Sequence, residues 1–585
     1  MQPRKTFFDP SEGYFIKMAD LVDFSKEDRE DTELINSCLR KISRMGGGTL
    51  YFSDGIYKTR TVMLQSNVTI YVDKSAVLKA APGEYEHEDL IDPMTGDLYP
   101  WTRTHDAGHN WFMNSMFYAE NKKNIKIIGN GKIDGDGFIT KYDNINQDKA
   151  LIPMDNKSAK TKSTAAGMGG DMPEPGPDSK GRTCNKMFAM IRCKNVEIGG
   201  ICPSKDLAYD GDFEGKRGKV AYLNDDGSYD YESVEQMLHL TDTGHFVLVG
   251  SGIDELQLHD LFMDNAPNMR DTFNLQGCND VVCCNIFIEG VSDDVIKFAS
   301  DRGMGNEYRD CSNFIARNII GDTECNLILI SVGYGSIDNV CIDNVIGLAA
   351  NKAAICIAAT GTSNARNVHI NCGGSVGKCI CGADHGDLTI GYEPAKIHPY
   401  RSHITHMRMP FNISLGGFRD EPFNRMENIY IGKITCDKVY AGSRAKACLV
   451  EDFPEYEGRS ESTSLIQGAF SANDPKVLAD PGFGRVSNVV FEDVDLLVKG
   501  GHSEQERLNV IDPSVAAIPL RDSDNPDGTS RVPAYGFYIR HADGVHFKNC
   551  TIATEKYDGR HPFHADDSTD VTFENGNIYN PVPEK

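Results

Sequence analysis

Three carboxylates near the middle of the chain have the spacing that acid–base chemistry requires. Asp271 is followed 22 residues later by the pair Asp293 and Asp294. When carboxylates are held a few ångströms apart, the pKa of one rises, so that it can donate a proton while its neighbour acts as a base. Cleavage of a glycosidic bond uses such a pair. A structural role is the alternative, in which Asp293 and Asp294 cap a turn and Asp271 pairs with Arg270 or Lys297.

Seven further residues could bind a substrate beside these acids. They are Lys297, Arg270, His245, His109, Trp111, Arg401 and His403. His245 precedes Asp271 by 26 residues, about one repeat of the chain, and could therefore lie beneath it. The imidazole and indole near residue 110 offer rings on which a sugar face can stack. The last two belong to a basic island in an acidic chain, which could bind a carboxylate or a sulfate. For each of these residues, the alternative is that it packs in the interior or is solvated at the surface and binds no substrate.

The same acids could instead hold a metal ion. Hard carboxylate oxygens suit calcium, and Lys297 would then be the candidate base of a uronic-acid lyase. We favour direct action by the carboxylates, so we expect no metal and no cofactor. No phosphate-binding Gly-rich loop and no Gly-x-Ser-x-Gly phrase stands in a strand-to-helix context, which argues against nucleotide chemistry and serine hydrolysis.

A short phrase recurs through the chain and indicates the elements that position these residues. Each copy begins with a polar or small residue and continues with the period-two alternation of a strand. The copies begin at Asn67, Asn124, Asn195, Glu255, Asp280, Asn313, Asn339, Asn367, Asn428, Asn488, Gly544 and Asp570. Short intervals, such as Asn313 to Asn339, are typical of one solenoid coil, whereas long ones, such as Asn367 to Asn428, fit two coils or one coil with an insertion. Stacked coils bury their aliphatic positions together, so we predict an all-β fold, a right-handed parallel β-helix.

One amphipathic helix and several insertions complete the predicted architecture. Residues 28–44 place their apolar side chains on one stripe, with acids in the first turn and bases in the last, as expected of a helix that caps the solenoid. Four stretches do not fit the repeat and are predicted loop insertions, at about 140–184, 203–236, 375–425 and 499–532. We expect an N-terminal segment 1–27, a single β-helix domain 28–580 and a tail 581–585.

The composition excludes several classes of protein. Sixty Lys and Arg against 85 Asp and Glu give a net charge of −25, which disfavours nucleic acid or an anionic membrane as partner. No apolar run approaches the roughly 20 residues that span a bilayer, and no signal-peptide pattern stands at the start. We interpret the 17 cysteines as reduced thiols. We therefore expect a soluble cytoplasmic protein with an oligosaccharide as its partner.

Two groups of residues resemble the polygalacturonase family, glycoside hydrolase family 28. The first is the opening stretch Gly46–Tyr57 followed by Leu64–Tyr71, and the second is the block that contains Asp271, Asp293 and Asp294. The resemblance extends over most of residues 28–580. It implies that Asp293 is the general acid and that the other two acids hold the attacking water.

The sequence departs from the family pattern after the acid pair. The family carries a Gly-His-Gly phrase one coil later, where Cys325 replaces the histidine. Its Arg-Ile-Lys phrase, which binds a galacturonate carboxylate, corresponds to the neutral stretch Ala354–Ala358. The resemblance therefore implies a substrate other than plain polygalacturonate.

These observations predict an intracellular glycoside hydrolase that acts by inversion on imported plant-type oligosaccharides other than homogalacturonan. Long insertions that wall off a groove favour attack at chain ends, so we expect exo action. Two alternatives remain open: a uronic-acid lyase or epimerase on the same solenoid, and a carbohydrate-binding β-helix without catalysis.

Overall fold

Strands dominate the fold, and helices are few. The computed structural model of the 585-residue chain describes residues 13–81, 115–135, 186–201, 205–211, 213, 218–243, 246–264, 271–291, 293–300, 309–323, 325–333, 335–359, 363–371, 401–415, 425–439, 463–508 and 532–582. The α-helices of this part are Thr32–Arg44 and Pro475–Ala479, and the 3-10 helices are Met18–Asp20, Glu232–Gln236 and Glu504–Leu508. No helix within the described ranges is long and apolar enough to cross a bilayer.

Parallel strands wind around one core, which confirms the predicted right-handed parallel β-helix. The coil that carries Asp271 shows the arrangement. Phe273–Gln276 lies in one sheet, which we call sheet A. Asn279–Val291 first runs through sheet B, bends at Asn285 and continues in sheet C. Each sheet is built by the same segment of successive coils, so a residue lies directly beside its counterparts one coil before and after.

The strands divide among these sheets as follows. Sheet A contains Val62–Met63, Ser115–Glu120, Lys186–Ile191, Phe246–Ser251, Phe273–Gln276, Ile296–Ala299, Ile328–Val332, the end of Ile337–Ala359, Met407–Leu415, Ser464–Gln467, Ala534–Arg540 and His561–Asp566. Sheet B contains Tyr14–Lys17, Gly48–Phe52, Val68–Val72, Lys123–Gly129, Lys194–Gly199, Ala365–Ile370, Ala542–Lys548 and Thr569–Glu574. Sheet C contains Gly55–Thr59, Ala76–Ala80, Lys132–Asp134, Leu238–Thr241, Ser402–Ile404, Thr551–Thr554 and Asn577–Tyr579. The strands that pass from sheet B into sheet C are Asp254–Asp264, Asn279–Val291, Cys311–Thr323, Ile337–Ala359, Met426–Val439 and Val486–Val498.

The first residue of every repeated phrase adopts a left-handed backbone conformation. All twelve have a φ between 51° and 69°. Asparagine tolerates this conformation better than most residues, and its side chain adds a second stabilising contact here. Asn124 donates to the side chain of Asn67 at 2.7 Å, and Asn195 donates to that of Asn124 at 2.9 Å. Eight of the twelve copies begin with Asn, because a bend and an amide ladder coincide there.

The long intervals between copies of the phrase each correspond to one coil with an insertion. Lys194 pairs directly with Asp254, and Ile429 pairs with both Val368 and Val489. No coil intervenes between these partners.

The N-terminal end is closed by the predicted helix, but the β-helix begins earlier than predicted. Helix Thr32–Arg44 buries Ile35, Leu39 and Ile42 against the first coils. Tyr14–Lys17 pairs in parallel with Gly48–Phe52, so part of the expected segment 1–27 is a strand of sheet B.

Two predicted insertions contain regular structure. Ser402–Ile404 and Met407–Leu415 pair with strands of the coils, so the insertion expected at 375–425 ends before residue 402. In the stretch predicted as 203–236, Leu207–Asp210, Lys219–Leu223 and Tyr229–Asp230 form a small antiparallel sheet. This sheet packs on the outer face of sheet C, against residues that include Phe287 and Ile320. Of 499–532, residues 499–508 and 532 are described, and 140–184 lies outside the described residues.

Ten cysteines of the described ranges are free and buried, as small interior side chains. Cys341 is disulfide-bonded, which corrects the expectation that all thiols are reduced.

Candidate active site

Asp271, Asp294 and Asn326 occupy the same position on three consecutive coils, two residues before a strand of sheet A. We call these three residues the acid ladder. The backbone N–H of Asp294 donates to Oδ1 of Asp271 at 3.4 Å. Asn326 donates to Oδ1 of Asp294 from its backbone at 3.1 Å and from its side chain at 2.6 Å. The backbone N–H of Ala353 donates in turn to Oδ1 of Asn326 at 3.0 Å. Each side chain is therefore held by the next coil.

A lysine and an amide contact the second oxygen of Asp271. The side-chain amide of Asn274 donates to Oδ2, and Nζ of Lys297 lies 4.0 Å from the same oxygen. Asn274 and Lys297 are register partners on sheet A and alternate with core residues, so both point away from the core. Hydrogen-bond donors and a positive charge next to a carboxylate stabilise its ionised form.

Asp293 lies beside the ladder and next to a thiol. One oxygen each of Asp293 and Asp294 and the Sγ of Cys325 lie within 4.8 Å of one another. The hydroxyl of Thr323 donates to the carbonyl of Asp293 and accepts from the backbone N–H of Cys325 at 2.9 Å. Asp293 and Asp294 lie between two strands. The side chains of both residues therefore reach the cluster with Cys325, although they are adjacent in the chain. The structure thus brings the three acids singled out in the sequence together, with Lys297 beside them.

Among the residues that the structure describes, Asp293, Asp294 and Cys325 form the cluster that could hold a metal ion. Its donors are two carboxylates and one thiol. Calcium takes six to eight oxygen ligands, whereas a thiolate is a soft ligand that suits metals such as zinc. Cys325 therefore disfavours calcium at this position.

The site is enclosed and flanked by apolar side chains on both sides. Asp271 and Asp294 are 4% exposed, Lys297 is 7% exposed and Asp293 is 9% exposed. Towards the N-terminal end, the outer face of sheet A carries an apolar cluster that includes Tyr118, Ala189, Phe246 and Val249. Towards the C-terminal end it carries Leu329, Ala353, Cys356, Ala358 and Met409. The acids are therefore the polar centre of a buried face.

Arg401 and His403 do not join this centre. They lie at the start of Ser402–Ile404 in sheet C, and each has acidic partners there. Arg401 pairs with Asp493 at 3.0 Å and with Asp495. His403 contacts Asp437 at 2.7 Å and stacks on Phe213, with ring centroids 4.0 Å apart. Both side chains are thus paired within sheet C and are not brought to the acids, and their role in substrate binding stays a prediction.

The remaining substrate-binding predictions lie outside the described residues. They are Arg270, His245, His109 and Trp111.

Sequence reasoning missed Asn326 and Asn274, although a signal for the first was present. Ser-Asp-Asp294-Val-Ile and Glu-Cys-Asn326-Leu-Ile follow the same pattern one coil apart. Aligning the coils on the aliphatic pair would have placed Asn326 on Asp294. Asn274 has no such signal, because its role depends on which side chain it meets.

Comparison with known proteins gives distant structural similarities alone. No family model matches the sequence, and no curated protein matches it. One similar solved structure is an exopolygalacturonase from Thermotoga maritima, with 13% identity over 85% of this chain and 88% of that chain and a TM-score of 0.48. Another is a family 28 exopolygalacturonase from Yersinia enterocolitica, with 13% identity over 98% and 79% and a TM-score of 0.49. A third is PfbA, a surface adhesin of Streptococcus pneumoniae, with 12% identity over 97% and 91% and a TM-score of 0.42. Two are enzymes and one is an adhesin, and at these TM-scores they carry no argument about function.

Proposed function

We propose that this chain is a glycoside hydrolase that cleaves oligosaccharides by inversion. The observation that carries the proposal is the meeting of Asp271 and Asp294 on adjacent coils, with Asp293 beside them. Hydrolysis of a glycosidic bond needs one carboxylic acid for the leaving oxygen and a second carboxylate. Oxygens of Asp293 and Asp294 lie within 4.8 Å of one another, a separation that does not select inversion over retention. Inversion is proposed from the family resemblance, in which the other two acids hold the attacking water.

The contacts of each acid suggest its role. Asp294 accepts two hydrogen bonds from Asn326, and Asp271 accepts from Asn274 and lies beside Lys297. Both are thereby stabilised as anions and can orient a water and take its proton. A third carboxyl next to two anions favours its protonated form. Asp293 is therefore the candidate general acid.

Enclosure of the site supports exo action on short chains. An open cleft would leave outward-facing acids accessible, whereas these are at most 9% exposed. The proposal therefore includes a short oligosaccharide as substrate. It also keeps the plant-type sugar and the cytoplasmic location that the sequence suggests. Plain homogalacturonan is not included, because the described side chains of the flank beyond the acids (Leu329, Ala353, Cys356, Ala358 and Met409) carry no charge.

A lyase or epimerase acting on uronic acids is the second candidate function. It is favoured by the proximity of two carboxylates and a thiol, which could hold a metal that polarises a uronate carboxyl. It is disfavoured by the placement of Lys297, whose Nζ lies 4.0 Å from Oδ2 of Asp271 and is paired with that carboxylate.

The test is a panel of neutral and acidic oligosaccharides followed by proton NMR and ultraviolet absorbance. We expect hydrolysis with a first product whose anomer is opposite to that of the substrate. Retention of the anomer contradicts the inverting mechanism, and an unsaturated, absorbing product identifies a lyase. Binding without turnover, unchanged after replacement of all three acids, identifies a carbohydrate-binding protein.

A further inference from the structure

One row of side chains on the outer face of sheet A leads away from the acids. Its members are register partners on five consecutive coils, namely Asn274, Lys297, Leu329, Cys356 and Asn412. Neighbouring strands lie about 4.8 Å apart, so Asn412 is roughly 14 Å from Lys297, a distance that more than one sugar ring can span.

The middle of this row is uncharged and apolar. Leu329 and Cys356 pack in one cluster with Ala353, Ala358 and Met409. Met409 and Ala353 are register partners and continue the line of the acid ladder. A carboxylate placed on these five side chains would lose its water without gaining a cation from any of them, which is unfavourable. The apolar face of a sugar ring makes few hydrogen bonds with water, so the same contact costs it little free energy.

Asn412 ends this apolar stretch with an unused hydrogen-bonding atom. The side chain is 5% exposed, and its amide donates to the Sγ of Cys356 at 3.2 Å. Its Oδ1 is buried and has no hydrogen-bond partner among the described residues. Turning the amide over would satisfy the oxygen but leave the nitrogen without an acceptor. Buried polar atoms without partners are rare in proteins, and each one requires an explanation, such as a bound water or a ligand.

We propose that the surface from Leu329 to Asn412 is a subsite for an uncharged sugar unit. The ring lies with its apolar face on Cys356 and Met409, and one of its hydroxyls donates to Oδ1 of Asn412. The acids would then act on the glycosidic bond of a neutral unit held next to them. This inference rests on the proposed function, since it treats the row as part of the cleavage site.

The test measures binding separately from turnover. The parent is Asp293→Asn, titrated by calorimetry with galactotriose, xylotriose and arabinotriose as neutral probes and with trigalacturonate as the acidic probe. Two changes are added to it. Asn412→Leu removes the acceptor and keeps a side chain of similar size, and Asn412→Asp keeps an acceptor. The matched control is Asn577→Leu, at an exposed asparagine of the last strand of sheet C, and thermal unfolding checks each variant.

We expect at least one neutral trisaccharide to bind the parent more tightly than trigalacturonate does. Asn412→Leu should weaken that binding about tenfold or more, because a site built for a hydroxyl loses its partner. Asn412→Asp should retain more of the affinity, and Asn577→Leu should change nothing. The inference is overturned if trigalacturonate binds best, if none of the neutral probes binds, or if Asn412→Leu binds like the parent because the oxygen holds only a water.

Failure of the inference can be told apart from failure of the proposed function. If the unmodified protein cleaves a neutral trisaccharide while Asn412→Leu binds it normally, the hydrolase stands and the subsite is wrong. If Asn412→Leu weakens binding but the unmodified protein cleaves none of the probes, the subsite stands and the hydrolase proposal fails.

Discussion

Asn326 donates two hydrogen bonds to one oxygen of Asp294, from its backbone at 3.1 Å and from its side chain at 2.6 Å. The two residues are counterparts on neighbouring coils, so the contact follows from the parallel register. A carboxylate that accepts two such bonds is fixed in orientation and stabilised as an anion. The backbone part of this contact recurs one coil earlier, where the N–H of Asp294 donates to Oδ1 of Asp271 at 3.4 Å. The parallel register therefore places an N–H donor of each coil beside the carboxylate of the coil before it.

Replacing Asp293 by Asn should abolish turnover and leave the fold intact. The leaving oxygen loses its proton donor, an effect of about 10²–10⁴ in rate for general acid catalysis. Turnover is measured on a natural glycoside with a poor leaving group, and circular dichroism checks the fold. An activated aryl glycoside serves as the control, because its leaving group needs little protonation and should lose less rate. Unchanged turnover of the natural substrate would remove Asp293 from the role of acid.

Asn326→Ala should lower both activity and stability. The Asp294 anion loses its shortest donor, and the N–H of Ala353 loses its acceptor, at a cost of about 1–3 kcal/mol in the free energy of unfolding. Because the anion is less stabilised, the acidic limb of the pH–activity profile should move to higher pH.

Asn344→Ala is the matched control for this change. Asn344 belongs to another amide ladder, at the bend between sheets B and C, and donates to Asn318 at 2.7 Å. It should reduce stability without moving the pH–activity profile. If both variants lose activity in proportion to stability and neither profile moves, Asn326 has a structural role alone.

Homogalacturonan should not be hydrolysed. Cys325 and the stretch 354–358 supply no cation where a galacturonate carboxylate would need one, and the neighbouring surface is apolar. Release of galacturonate from de-esterified pectin is the measurement, with a neutral oligosaccharide as positive control. Robust release would show that other residues provide the anion site.

Activity should persist in EDTA. In the proposed mechanism the carboxylates position water directly, so chelation removes nothing that the reaction uses. The assay compares rates before and after dialysis against EDTA and after addition of calcium or zinc. Loss of activity restored by zinc would assign Asp293, Asp294 and Cys325 as ligands, and restoration by calcium would favour the lyase.

A buried charge network makes the stability of the fold depend on pH. His259 contacts Asp260 at 2.9 Å and Glu197 at 3.2 Å, and Tyr222 of the small antiparallel sheet donates to Asp260 at 2.6 Å. Burial alone would lower the pKa of His259, but its hydrogen bonds to Asp260 and Glu197 raise it to about 9. Burial alone would raise the pKa of Glu197, but His259 and Lys126 lower it to about 2.

The thermal stability should therefore fall as the pH rises from about 6.5 towards 9. Below 6.5 His259 is protonated in both the folded and the unfolded chain, so its stabilisation is fully present there, and it is lost as the folded protein releases the proton near pH 9. The loss is on the order of 3 kcal/mol at most. Thermal unfolding is followed from pH 6 to 10 in the unmodified protein and in His259→Gln. The variant should show a weaker dependence of the unfolding temperature on pH.

His546→Gln is the control for that measurement. It removes an imidazole that contacts Thr572 in a distant part of sheet B. It should keep the pH dependence of the unmodified protein. If the unfolding temperature falls equally with pH in all three proteins, the assignment to His259 is contradicted.

The architecture and the proximity of the acids could both be predicted from the sequence. Alternation with a period of two defines strands, and recurrence of the phrase at nearly regular intervals defines coils, because each strand pairs with the next copy of the same phrase. Asp271 and Asp294 therefore had to lie side by side. The helix was predicted over residues 28–44 and lies at Thr32–Arg44, because its apolar stripe and terminal charges are local properties.

The tertiary structure decided how the insertions and the longer-range partners are arranged. Pairing of Val368 with Ile429 shows that these two residues are counterparts on neighbouring coils, which the interval of 61 residues in the sequence left open. Arg401 looked available as a cation, but Asp493 and Asp495, far along the chain, compensate its charge. The unused oxygen of Asn412 is a property of its surroundings alone. Periodicity can be read from residues that are close together in the sequence, whereas the partner of a side chain depends on every coil that folds against it.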